Sequence, residues 1–102
     1  VTPEAAADRI AAAVTALPQV AGLHGGRFGE IATLAPGRRV PGVRVRDEEV
    51  TVAVIARFPL AAGDLAEAVR VAAGIRDRPV HVVVADLALP DLPDDIAEEE
   101  KD

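Results

Sequence analysis

Val43-Arg44-Val45-Arg46-Asp47-Glu48-Glu49-Val50-Thr51-Val52-Ala53-Val54-Ile55-Ala56-Arg57-Phe58 decides the fold. Its first four residues alternate apolar and charged. Three acids then make a turn, and a run rich in β-branched residues follows. A period of two on both sides of polar turn residues predicts an antiparallel hairpin. In the longer strand, Val50, Val52, Val54, Ala56 and Phe58 share one face, which the pattern assigns to the core. Thr51, Ala53, Ile55 and Arg57 share the other, which is only half apolar.

Downstream, Pro59 closes the strand. Leu65, Ala68, Val69, Ala72 and Ile75 then form a stripe at helical spacing, predicting a helix from about Ala61 or Asp64 to Ile75. Asp77-Arg78-Pro79 breaks it. Val80 to Ala85 is apolar apart from His81, which predicts a strand covered on both faces or beside a covering neighbour. A strand–helix–strand unit of this kind predicts parallel strands joined by a right-handed crossover.

Upstream, Thr2-Pro3-Glu4 has the form of a helix start, with a capping hydroxyl, a proline at the first turn and an early acid. Ile10, Val14 and Leu17 line one face of that helix, with Asp8 and Arg9 outward, and Pro18 ends it. Val20 to His24 is a short candidate strand. Gly25, Gly26, Gly29, Pro36, Gly37, Pro41 and Gly42 then punctuate the chain. This density predicts a long loop, with at most a short strand at Glu30–Leu34, and places Arg38 and Arg39 in that loop. The order is α-β-(β)-β-β-α-β. Two helices can cover one face of a small mixed three- to four-stranded sheet, so the expected fold is α+β, a two-layer sandwich. The domain spans residues 1–89, and residues 90–102 are expected to be an acidic, disordered tail.

Composition narrows the chemistry. The chain of 102 residues has no Cys, Met, Trp or Tyr, two Phe and no Ser. Disulfides, thiolate metal sites and cysteine or serine nucleophiles are therefore excluded. The shortage of aromatics argues against a base-stacking nucleic-acid module. The net charge is −6 but unevenly spread: residues 86–102 carry −7, leaving +1 on the rest, whose only basic residues besides His are arginines. No apolar stretch approaches the ~20 residues that a membrane-spanning helix needs.

Few residues are candidates for chemistry. His24 and His81 have no spacing to each other or to other ligands that suggests a metal set. His24-Gly25-Gly26-Arg27-Phe28-Gly29-Glu30 is glycine-rich but matches no phosphate-cradling pattern and is not followed by a helix start. Its expected role is a tight turn that seats Phe28. Asp47, Glu48 and Glu49 make a solvated turn, and no carboxylate dyad is visible. Neither a cofactor nor a metal is expected. The candidate interaction residues are Arg38, Arg39, Arg44 and Arg46, a basic set in and beside the hairpin, together with Phe28 and Ile55. The plain reading of the arginines is an edge strand guarded by charge. The functional one is a docking face for acidic groups.

One set of short motifs, taken in order, is distinctive: the Ala-rich helix with Ile10, Leu17-Pro18-Gln19-Val20-Ala21-Gly22-Leu23, then Gly25-Gly26 and Gly29. Arg38-Arg39-Val40-Pro41-Gly42-Val43-Arg44-Val45, the strand Val50–Phe58 and Val80–Asp86 follow. Over residues 5–89 the chain resembles the alkaline shock protein family, the envelope stress response proteins of Gram-positive bacteria, and in particular its actinobacterial branch. Gln19 departs from the pattern, which usually has glycine in a Val-Pro-Gly-Val turn. The resemblance implies a non-enzymatic cytoplasmic protein linked to cell-envelope homeostasis. It implies self-association into a homo-oligomer or pairing with a related family member. It also implies a location at the inner membrane face through a separate membrane-anchored protein partner. The alternative is a KH-like nucleic-acid-binding domain, which the element order allows, although its G-x-x-G loop between helices is missing.

Overall fold

A computed structural model describes residues 2–89. The fold is α+β, with two helices on one face of a mixed four-stranded sheet and a separate two-stranded hairpin beside them. Helix α1 spans Pro3–Thr15. The Thr2 hydroxyl accepts from the Ala5 amide at 3.1 Å, so the sequence-level capping signal is realised. Strand β1 is Val20–Leu23. Strands β2 (Ala32–Ala35) and β3 (Arg38–Pro41) form the hairpin, and β4 (Val43–Val45) and β5 (Val50–Arg57) form the next one. Helix α2 covers Ala62–Ala73 and ends on Gly74, whose left-handed φ of 64° suits glycine. Strand β6, Val80–Ala88, closes the described chain.

β5 is the centre of the sheet. Its whole length pairs in parallel with β6 on one side. On the other side β4 and β1 lie end to end, both antiparallel to it: Val45 opposite Val50, and Leu23 opposite Val54. Val50, Val52, Val54 and Ala56 point toward the helices and are buried. Ile10 and Val14 of α1 and Leu65 and Val69 of α2 close over them to make one core. Arg9 of α1 donates from Nη2 to the Ala73 carbonyl at 2.6 Å, giving a last-turn acceptor of α2 a charged partner.

Four expectations need correction. The 25–42 stretch is not one long loop: Pro36-Gly37 turns β2 into β3, with Gly37 at φ 74°. Proline followed by a positive-φ glycine is the residue order of a type II turn. Arg38 and Arg39 are therefore strand residues, and the order becomes α-β-β-β-β-β-α-β. Second, β6 runs past Ala85 to Ala88, and it is not covered on both faces. One edge meets β5, while the other pairs with no described strand, and Val83, Val84 and Leu87 are 39%, 40% and 44% exposed. Two helices of 12 and 13 residues suffice for β5 but leave the outer half of the sheet bare. Third, Phe58 is half exposed, because β5 ends at Arg57 and the chain turns away toward α2. Fourth, Phe28 is not seated: it is 87% exposed. The acidic tail, 90–102, lies outside the described residues.

Two residues join the hairpin to the main sheet. Thr33 is buried on β2, donates its hydroxyl to the Val43 carbonyl at 2.7 Å and accepts from the Val45 amide at 3.1 Å. Gly42 donates its amide to Ile31 at 2.8 Å and accepts from the Ala53 amide at 2.8 Å.

Candidate interaction site

The arginines read from the sequence divide into two places. Arg39, Arg44 and Arg46 line one cleft of about 430 Å³, between the start of α1 and strands β2 and β4. Pro3 and Glu4 of α1 and Glu30 of the preceding loop share its wall, so the cleft is mixed in charge rather than purely basic. Arg39 donates from Nη2 to the Gly29 carbonyl at 2.7 Å and pins the loop. Arg44 leans across β5 and reaches the Thr51 hydroxyl with Nη2 at 3.4 Å. Its Nε is buried with no protein partner. The Glu30 carboxylate is held below the usual range by the backbone amides of Glu30 and Phe28, with smaller help from Arg44 and His24.

Arg38 belongs elsewhere. Its guanidinium makes two hydrogen bonds to the Asp8 carboxylate of α1, at 2.7 and 3.1 Å. That fork ties β3 to α1 and is not free to receive a partner. Hydrogen bonding from Arg38 holds the Asp8 carboxyl below its ordinary 3.8, against an opposing effect of desolvation. A carboxyl depressed in the folded state stabilises above the unfolded value, and that contribution is lost as pH falls through the folded value. Both side chains are about half exposed, so the contribution is small. The Asp8 carboxyl is expected to titrate below 3.8 by carbon NMR, and to return to the ordinary value in Arg38→Ala. An unchanged midpoint in that variant would show that the fork does not hold in solution.

Phe28 stands at the tip of the turn closed by the Gly29 amide on Gly26, with the Arg27 guanidinium 5.8 Å from its ring centre. It offers an exposed aromatic surface and no cavity. Ile55 is half-buried on the sheet face away from the helices, between Gly22 of β1 and Asp86 of β6. That face carries rows across the strands. Arg44, Thr51 and His81 form one; Ile55 and Asp86 lie in another, with Ala53 and Val83 between them. Glu49 sits at the polar end, 3.4 Å from the Thr51 hydroxyl and 3.9 Å from His81 Nε2. The residues proposed for interaction thus do not converge on one place.

Sequence reasoning missed the free edge of β6. The only signal for it was the long apolar run itself, which a covered strand would share. Among the described residues, no group of three or more His, Cys, Asp or Glu is placed to hold a metal ion. No described helix is long and apolar enough to cross a membrane. Searches against protein-family models, curated proteins and solved structures found no match to this chain.

Proposed function

We propose that this chain is a non-enzymatic interaction scaffold of the alkaline shock type. It self-associates and works in cell-envelope homeostasis at the cytoplasmic side of the membrane, held there by a membrane-anchored protein partner. The observation that carries the reading is the outer edge of β6: nine strand residues that, among the described residues, are paired on one side only, with Val83, Val84 and Leu87 exposed. An edge of that length, without lysine or proline, is a template for strand addition. The family resemblance supplies the envelope setting.

The cleft at Arg39, Arg44 and Arg46 favours a second reading, a nucleic-acid-binding domain. Glu4 and Glu30 in the same wall oppose a phosphate backbone there. Two experiments decide between the readings. Fractionation of native cells is expected to place the chain with the inner membrane, in a form released by disrupting protein contacts. Filter binding to single-stranded RNA at moderate salt is expected to show none. Salt-sensitive RNA binding that is lost on Arg39→Ala with Arg44→Ala would overturn the scaffold reading in favour of the second.

A further inference from the structure

We infer that two copies of the chain pair antiparallel along β6, in a register centred on Val83, to make one continuous sheet. This rests on the self-association proposed above and names the surface and the residue pairs. The Val50 amide bonds to the Pro79 carbonyl and the Phe58 amide to the Ala88 carbonyl, each at 3.0 Å. Main-chain groups alternate sides along a strand, so those two ends fix which residues face outward. The outward amides and carbonyls belong to Val80, Val82, Val84 and Leu87; of these, the Val80 carbonyl accepts from Arg70 Nε at 3.2 Å and the Leu87 amide donates to Asp86 Oδ1 at 2.8 Å.

A bulge makes this set consistent. Val84 lies opposite Val54 and Asp86 opposite Ile55, so Ala85 is an extra residue that resets the alternation. Val80, Val82, Val84 and Leu87 therefore share the helix-side face, and His81, Val83 and Asp86 share the other. A two-fold axis normal to the sheet at Val83 then sets Val83 opposite itself and Val82 opposite Val84. It also sets His81 opposite Asp86 and Val80 opposite Leu87. Every pair comes from one face, as directly opposed residues in an antiparallel ladder must. The outward-facing residues meet one another, giving about six main-chain hydrogen bonds across the edge from groups without an intrachain partner, and two more where the Leu87 amide exchanges Asp86 Oδ1 for the Val80 carbonyl of the other copy.

Charge selects this register. The imidazole of each copy meets the carboxylate of the other at both ends of the pairing. Moving the axis one residue toward Val84 sets Asp86 opposite Val83, and moving it toward Val82 sets Asp86 opposite Pro79. Either shift leaves a carboxylate against an apolar neighbour. In the Val83-centred register the three exposed apolar residues, Val83, Val84 and Leu87, each gain an apolar partner. The bulge and Asp86, which guard the edge against indiscriminate pairing, become the features that admit a second copy and fix its position.

The chain has no cysteine, so introduced thiols give a clean readout. Each variant is made in the full chain and oxidised with oxidised glutathione at micromolar protein. Val83→Cys is expected to form a disulfide-linked dimer about a hundredfold faster than Val71→Cys, an exposed position on α2, because paired thiols see a millimolar effective concentration. Mixing His81→Cys with Asp86→Cys is expected to give the mixed dimer, while neither alone cross-links. Equal rates for Val83→Cys and Val71→Cys, or no preference for the mixed dimer, would overturn the pairing. Sedimentation of the unmodified chain separates the two levels. A dimer with inert Val83→Cys overturns the β6 pairing and leaves self-association standing, whereas a monomer overturns both.

Discussion

Gly42→Ala is expected to destabilise the fold by about 3 kcal/mol, a large share of the roughly 5–10 kcal/mol that a domain of this size commands. Two costs add. Gly42 has φ 86°, where a residue with a Cβ is strained by about 1–2 kcal/mol. The added Cβ would also lie 2.6 Å from Leu23 Cβ and 3.2 Å from the His24 amide nitrogen. Neither neighbour can retreat easily, because Leu23 packs against the core and the His24 amide is bonded to the Ala53 carbonyl. Gly42 is also where the two sheets meet, so a shift there loosens both. Gly37→Ala is the internal comparison. Its φ of 74° is similar, but a Cβ there meets nothing within 4 Å. It should cost only the strain, about 1–2 kcal/mol. Denaturant unfolding of both variants measures the difference. Equal losses would show that the contact with Leu23 is relieved at no cost.

Leu65→Ala is expected to cost about 3 kcal/mol and to lower the melting temperature by about 15 °C. Leu65 is among the largest fully buried side chains and sits on α2 over the sheet. Its removal loses transfer energy and leaves a void that the backbones around it cannot fill. Val71→Ala, on the exposed side of the same helix, should stay within about 0.5 kcal/mol. A comparable loss at both positions would mean that α2 is oriented differently on the sheet.

The parts of this fold that were legible in the sequence are those where a period coincides with burial on one side. α1 and α2 announce themselves by apolar residues at helical spacing, and β5 by residues buried two apart. The start of α1 carries a signal too, Thr2 before Pro3, whereas α2 ends at Ala73 on Gly74, two residues short of the Ile75 expected from the apolar stripe. The β2–β3 hairpin was illegible because its strands are four residues each, and the glycines and prolines that shape its turns outweigh any period. Once Pro36-Gly37 is seen as a turn, Thr33 and Val40 fall opposite each other as the inward pair. The state of β6 was illegible for a different reason. Four apolar residues in succession, Val82 to Ala85, describe a strand that could be covered, but coverage depends on where two short helices land.

The interaction residues follow the same division. Arg39, Arg44 and Arg46 were identified by type and come together from two segments of chain, β3 and the end of β4. Arg38, next to Arg39, points the other way because neighbours on a strand face opposite sides, and Asp8 is there to hold it. Phe28 was misjudged because a rare aromatic among glycines suggests an anchor, yet nothing in the structure offers it a pocket. The −6 of the whole chain also says little about the folded surface, since most of it belongs to residues beyond Ala85. The described domain presents arginines in three separate settings: the cleft, the fork to Asp8, and the caps on α2 and on the Arg46 carbonyl.

Self-association is the claim on which the functional reading depends. Sedimentation equilibrium of the full chain over a wide concentration range tests it most directly, with Val84→Pro run beside it. Val84 presents its amide to the free edge, so proline there removes an outward donor and obstructs strand addition while sparing the ladder to β5. The expected result is a concentration-dependent dimer for the natural chain and a folded monomer, with unchanged circular dichroism, for Val84→Pro. A natural chain that remains a monomer at every concentration would contradict the scaffold reading.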